Sequence, residues 1–151
     1  MPGVFASGEY FEVAVKYVNL KTTRGIEIVK VVDDSTDEAR EQAQEKYGDK
    51  IQVLRTQWIS PNWKQSNELL RKCMRYDPES GKRELDWPLY RSLLIDMFMK
   101  KWDATMVDEN GKEVPAPLSR EYVDRLDAQV AVALVDKFIE RTNVSEDELG
   151  K

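Results

Sequence analysis

Leu85-Asp86-Trp87-Pro88-Leu89-Tyr90-Arg91-Ser92-Leu93-Leu94-Ile95-Asp96-Met97-Phe98-Met99-Lys100-Lys101-Trp102 is the stretch on which the fold turns. Asp86 can cap a helix, and Pro88 suits a first turn because its missing N–H has no partner there. Beyond it, apolar side chains from Leu89 to Trp102 cover most of a helical cylinder, leaving Arg91, Ser92, Asp96 and Lys100 as a narrow polar stripe. A helix that is apolar nearly all round belongs inside a protein or against a partner. This one is too short and too charged at its end to span a bilayer. The expectation is a central core helix running to Trp102.

The flanking sequence sets the company it keeps. Upstream, residues 9–18 alternate, with Phe11, Val13, Val15 and Tyr17 on one side and Glu12 and Lys16 on the other. That is the period of a half-buried strand. A polar turn ending at Gly25 leads into Ile26-Glu27-Ile28-Val29-Lys30-Val31-Val32, a second strand placed to close a hairpin. Ser35-Thr36-Asp37-Glu38 reads as a capping box with Ser35 as the cap, followed by a helix with a thin seam of Ala39, Ala43 and Tyr47. Residues 51–59 form a third strand. Residues 1–61 are therefore expected to make a ββαβ lobe.

From Asn62 the period changes to helical. Asn62 or Ser66 can cap a helix carrying Leu69, Leu70, Cys73, Met74 and Tyr76, and a turn cluster occupies residues 77–82. After the central stretch, Asn110-Gly111 marks a tight hairpin with Met106-Val107 and Glu113-Val114 as arms. Ser119 caps a short helix. Asp127 caps a final one, in which Val130 to Ile139 is again apolar on most sides. The fold class expected is α+β: a small ββαβ sheet lobe at 1–61, an all-helical bundle lobe at 62–144, and an acidic, flexible tail at 145–151.

Composition narrows the chemistry mostly by exclusion. The 151-residue chain is 41% hydrophobic and 34% charged, a globular balance without low-complexity tracts. It has no histidine, which removes Ser-His-Asp and Cys-His catalysis and every His-containing zinc site. One cysteine, Cys73, permits no internal disulfide and fits a reducing compartment. No signal peptide is legible at the start of the chain. Charge is uneven: residues 1–61 hold 8 Lys/Arg against 10 Asp/Glu, residues 62–101 hold 9 against 6, and residues 102–151 hold 6 against 12. A basic middle and an acidic last third favour charged protein partners, or further copies of the chain, over general nucleic-acid binding.

Motif by motif, the chain offers turns and helix caps where catalysis would need a site. Gly81-Lys82-Arg83 and Gly111-Lys112-Glu113 lack the residues of a phosphate loop. A calcium loop aligned on Gly111 would put Met106 and Pro117 at ligand positions. Cys73, without an adjacent base, reads as a small buried hydrophobe. No catalytic residue, metal or cofactor is expected. Two surfaces stay open. If a small bundle cannot enclose both apolar helices, Met97, Met99, Trp102, Phe138 and Ile139 form an exposed partner-binding patch. Alternatively, Tyr10, Trp58 and Trp63 with Lys64, Arg71 and Arg75 form a stacking platform with a basic rim for single-stranded nucleic acid.

Residues 85–149 also carry Met99-Lys100-Lys101-Trp102-Asp103, the turn Asp108-Glu109-Asn110-Gly111-Lys112-Glu113-Val114-Pro115, a Ser-capped helix, and Leu126-Asp127-Ala128-Gln129-Val130-Ala131 leading to a last helix and an acidic end. This pattern resembles the helical part of small tailed-bacteriophage morphogenesis proteins, particularly tail assembly chaperones. The resemblance implies a non-enzymatic protein that self-associates or binds other phage tail or virion proteins. It implies a place in the cytoplasm of the infected bacterium or in the virion, as a chaperone or a small neck, tail or baseplate subunit. The competing expectation is a phage-encoded inhibitor or nucleic-acid-associated module acting on a host target. A small hydrolase or transferase working without histidine ranks third.

Overall fold

Strand β1 (Phe11–Lys21) alternates as its sequence demands: Val13 and Val15 are buried on one face, while Glu12 and Lys16 turn away. It pairs antiparallel with β2 (Glu27–Val31) on one side and with β3 (Gln52–Trp58) on the other. Since β2 and β3 both run against β1, they are parallel to each other, and α1 (Asp37–Tyr47) makes the crossover between them. The computed structural model describes residues 4–143. The tail expected at 145–151 lies outside the described residues.

The cap of α1 is Thr36, whose hydroxyl accepts from the Ala39 N–H. Ser35, the expected cap, instead donates its hydroxyl to Asp33. The helix lies over the second face of the sheet. There Lys16 and Val32 share a cleft with Arg40, Ala43 and Gln44, but α1 itself contributes no buried residue.

The other face carries the main core. α2 (Trp63–Cys73) is capped by Asn62 and Gln65 in a reciprocal capping box, so the nearer of the two possible caps is used. It leads into a short ribbon, β4 (Met74–Tyr76) and β5 (Arg83–Leu85), closed over the turn cluster. Asp86 then caps α3 (Trp87–Phe98) by accepting from the Leu89 N–H. The helix stops at Phe98. Met99–Trp102, expected to be its last turn, is a strand, β6, and it pairs with β3 at the edge of the sheet.

This corrects the expected architecture. The sheet has the order β2-β1-β3-β6, so its fourth strand comes from the middle of the supposed helical lobe. A ββαβ lobe followed by a helical bundle is not what forms; the elements interleave around one sheet, and the class remains α+β. The physical reason lies on β3. Thr56 and Trp58 are fully buried there, and a bare β3 edge would leave their backbone groups unpaired. Trp58 pairs with Met99 and Gln57 with Lys101, so Lys100 is the extra residue of a bulge and both lysines reach solvent.

The rest of the chain closes the core. β7 (Thr105–Val107) and β8 (Glu113–Pro115) form the hairpin expected around Asn110-Gly111, with Gly111 at φ 78°. The Asp108 carboxylate accepts from the Asn110 and Lys112 amides, the work of a turn residue. α4 (Arg120–Val123) is capped by Ser119, and Arg120 bridges Asp96 and Asp124, occupying the polar stripe of α3. α5 (Ala128–Thr142) is capped by Asp127 and lies across β1 and β2. Among the described residues no helix is long and apolar enough to cross a membrane.

Phe138 is the centre of the packing. Its ring stacks on Trp58 at 4.5 Å, Phe98 at 5.7 Å and Phe11 at 5.9 Å, joining α5 to two strands and α3. Beneath it runs a buried polar relay. The Trp58 indole N–H donates to the Thr56 hydroxyl at 2.6 Å, and that hydroxyl donates to the Val13 carbonyl at 2.6 Å. Each buried polar side chain thereby has a partner, and no orphan remains among the described residues.

Candidate partner-binding surface

Burial decides which expected site residues remain available. Met99 and Phe138 are 4% and 1% exposed, inside the core, and Met97, Trp102 and Ile139 are half-buried against it. Trp102 is further tied down by its indole N–H, which donates to the Ala116 carbonyl. These five side chains therefore do not form an exposed patch. The sheet supplied the surface that a small helical bundle lacks, and the two apolar helices are spent on it.

The nucleic-acid platform is also split. Trp58 is fully buried, and Tyr10 sits just before β1 beneath the Lys101 ammonium. Trp63, Lys64, Arg71 and Arg75 do share one region, on and just beyond α2.

That region is built by α2 itself. At about 100° per residue, Leu69 and Cys73 occupy the side facing the core, while Trp63, Leu70 and Met74 line up about 100° around the cylinder. Trp63 is 82% exposed, Leu70 47% and Met74 39%. Lys64 and Arg71, seven residues apart, form the next row out. Neither has a carboxylate within ion-pair distance among the described residues, whereas Arg75 meets Asp86 at 3.5 Å.

α3 supplies the opposite wall. The Asp86 N–H donates to the Cys73 carbonyl, which sets the start of α3 against the end of α2. Leu70 and Ser66 face Tyr90 and Leu94 across a cleft of about 370 Å³. Trp87 packs edge-on against Tyr90 at 5.6 Å and remains half-exposed, and Tyr76 projects from the ribbon on the same side as Met74. Trp63, Leu70, Met74, Tyr76 and Trp87 thus border one apolar surface. Helical spacing from Trp63 to Met74 was available to find it, but residues 62–76 read equally well as a helix burying that same stripe.

Three titratable groups, Cys73, Asp33 and Asp77, carry shifts with local causes. Burial pushes the Cys73 thiol up and nearby Asp86 adds to this, against a downward pull from Arg75 and Lys72, so the residue is an inert thiol. Hydrogen bonds from the Ser35 hydroxyl and amide hold the Asp33 carboxyl below its usual range. Ser80 and the Glu79 amide do the same for Asp77. A general acid needs the opposite shift. A charged, open groove of about 700 Å³ between α5 and β1 is lined by Lys137, whose ammonium donates to the Ala14 carbonyl at 2.9 Å and to Asp34 at 3.1 Å. Among the described residues no three carboxylate or thiol groups are placed to share a metal ion. No family model, curated protein or solved structure matches the chain.

Proposed function

We propose that this chain is a non-enzymatic protein–protein interaction protein of tailed-phage virion assembly, a tail assembly chaperone or a small neck, tail or baseplate subunit. Its partners are other tail or virion proteins, met in the cytoplasm of the infected bacterium or within the virion. The observation that carries the binding part is the α2–α3 surface: of the exposed large apolar side chains among the described residues, Trp63, Leu70, Met74, Tyr76 and Trp87 gather there, whereas Val4, Phe5, Tyr10, Ile26, Ile28 and Val107 lie on other parts of the chain. Leaving such a side chain exposed forgoes about 1.5–3 kcal/mol each, a loss that a partner's surface recovers. The assembly part rests on the resemblance of residues 85–149.

Co-expression with candidate tail proteins, followed by size-exclusion chromatography with light scattering, tests both parts. A stable complex is expected, and the double substitution Trp63→Ala, Trp87→Ala abolishes it while the chain stays folded. A strict monomer that joins none of the virion proteins defeats the reading. The second reading, an inhibitor or nucleic-acid-associated module, draws on the nearness of Trp63 to Lys64, Arg71 and Arg75. It calls for oligonucleotide binding that weakens steeply with salt.

A further inference from the structure

We infer that the α2–α3 surface takes an acid-flanked amphipathic helix from a different polypeptide. The inference rests on the binding reading above and adds the chemistry of the occupant.

Shape comes first. Trp63 and Leu70 share one row of α2, and Met74, the residue that follows its last turn, continues it, about 16 Å in all, the length over which a docked helix presents anchors at i, i+3/i+4 and i+7. The cleft between Leu70 and Tyr90, closed at its back by Phe138 and Ile139 of α5, gives the central anchor somewhere to go, and Trp87 packs on Tyr90 beside it. Leu70 and Met74, non-aromatic and two of the three side chains in the row, suit a side chain rather than a nucleobase, which prefers an aromatic face.

Charge selects the occupant. Lys64, Glu68 and Arg71 border the stripe as a row of net charge +1 in which neither cation lies within ion-pair distance of a carboxylate among the described residues, in the only third of the sequence with a net positive balance. A segment with Asp or Glu beside its apolar anchors would meet these cations at the rim. A second copy bound through the same face would not. Two copies of α2 laid antiparallel about a two-fold axis near Asn67 would set Lys64 of one against Arg71 of the other. Like charges opposed in this way disfavour the pair, so the partner is another chain.

Selection of peptides from a displayed random library on the intact protein tests this directly, with oligo-dT as a second probe. Acidic peptides carrying Leu, Phe or Trp are expected to dominate. A synthesised winner should bind more weakly as salt rises, and should lose about tenfold in affinity to Lys64→Glu, Arg71→Glu. Trp63→Ala should lose at least as much, with circular dichroism and the urea midpoint unchanged. Enrichment of neutral or basic peptides overturns the inference, as does displacement of the winner by oligo-dT. A concentration-dependent dimer that Trp63→Ala dissolves also overturns it, in favour of a second copy. The two readings fail separately. A tail-protein complex indifferent to salt and to the reversed charges sinks the occupant's chemistry alone. Acidic peptides bound by a chain that joins no virion protein sink the assembly role alone.

Discussion

Trp58 and Trp63 are five residues apart, yet one is fully buried and the other 82% exposed. The first ends a strand on the sheet face that carries the main core; the second begins a helix whose core-facing side belongs to Leu69 and Cys73. Residue type does not separate them. What separates them is which periodicity each obeys: Trp58 falls in the two-residue rhythm of Leu54 and Thr56, while Trp63 falls in a helical row that points away from the sheet. The molecule therefore holds two apolar assemblies, one closed around Phe138 and one open along α2. Their energetics should differ accordingly.

The sharpest difference is expected at Phe138. Phe138→Ala removes the ring that stacks on Trp58, Phe98 and Phe11, and should cost about 3–5 kcal/mol in the free energy of urea unfolding. A loss under 1 kcal/mol would mean that the closed assembly is not the one holding the fold. Next comes the relay beneath it. Thr56→Val keeps shape but strands the Trp58 indole N–H, at a cost of about 1–3 kcal/mol, whereas Thr56→Ser keeps the hydroxyl and most of the stability. Equal losses from both substitutions would assign the effect to packing instead.

How much of this contrast is legible in the sequence follows from the same periodicities. Alternation over residues 9–18 and 51–59 and the β-branched run at 26–32 are strong enough that β1, β2 and β3 form where expected. Asp86, Ser119 and Asp127 cap the helices they were expected to cap. The failure came at Met99–Trp102. Met, Lys, Lys and Trp continue a helical pattern as well as they make a bulged edge strand, and only the unpaired edge of β3, distant in sequence, decides between them. Reading those four residues as helix hid the shared sheet, and without the sheet two apolar helices looked too many to bury. The patch expected at Met97, Met99, Trp102, Phe138 and Ile139 follows from taking those four residues as helix. The ribbon β4–β5 escaped for a similar reason, since three-residue arms carry too little alternation to register.

Cys73 sits between the two assemblies, on the inward side of α2, and gives a pH-dependent probe of it. Its folded pKa is raised, so its contribution to stability is complete below the unfolded thiol's value, about 8.5, and is lost as pH rises through the folded value. The urea midpoint should therefore fall on the alkaline side, and Cys73→Ala should flatten that part of the curve. Half-buried Tyr17 and Tyr90, also raised, add a further decline above about 10. A thiol reagent should label native Cys73 only as fast as the chain opens. Immediate labelling would place the inward face of α2 in solvent and erase its distinction from the outward one.

The smallest expected change is the most telling. Trp63→Ala should alter unfolding free energy by no more than about 0.5 kcal/mol, because an exposed ring gives up little on truncation. Leu70 and Met74, at 47% and 39% exposure, should cost somewhat more when cut to alanine, since each has part of its surface already against the protein. That ordering runs opposite to side-chain size, and so separates the two assemblies more cleanly than any single core substitution. If Trp63→Ala instead destabilised the isolated chain by several kcal/mol, the indole would be packed in solution. The row along α2 would then belong to the interior, and the surface offered to a partner would lose its main anchor.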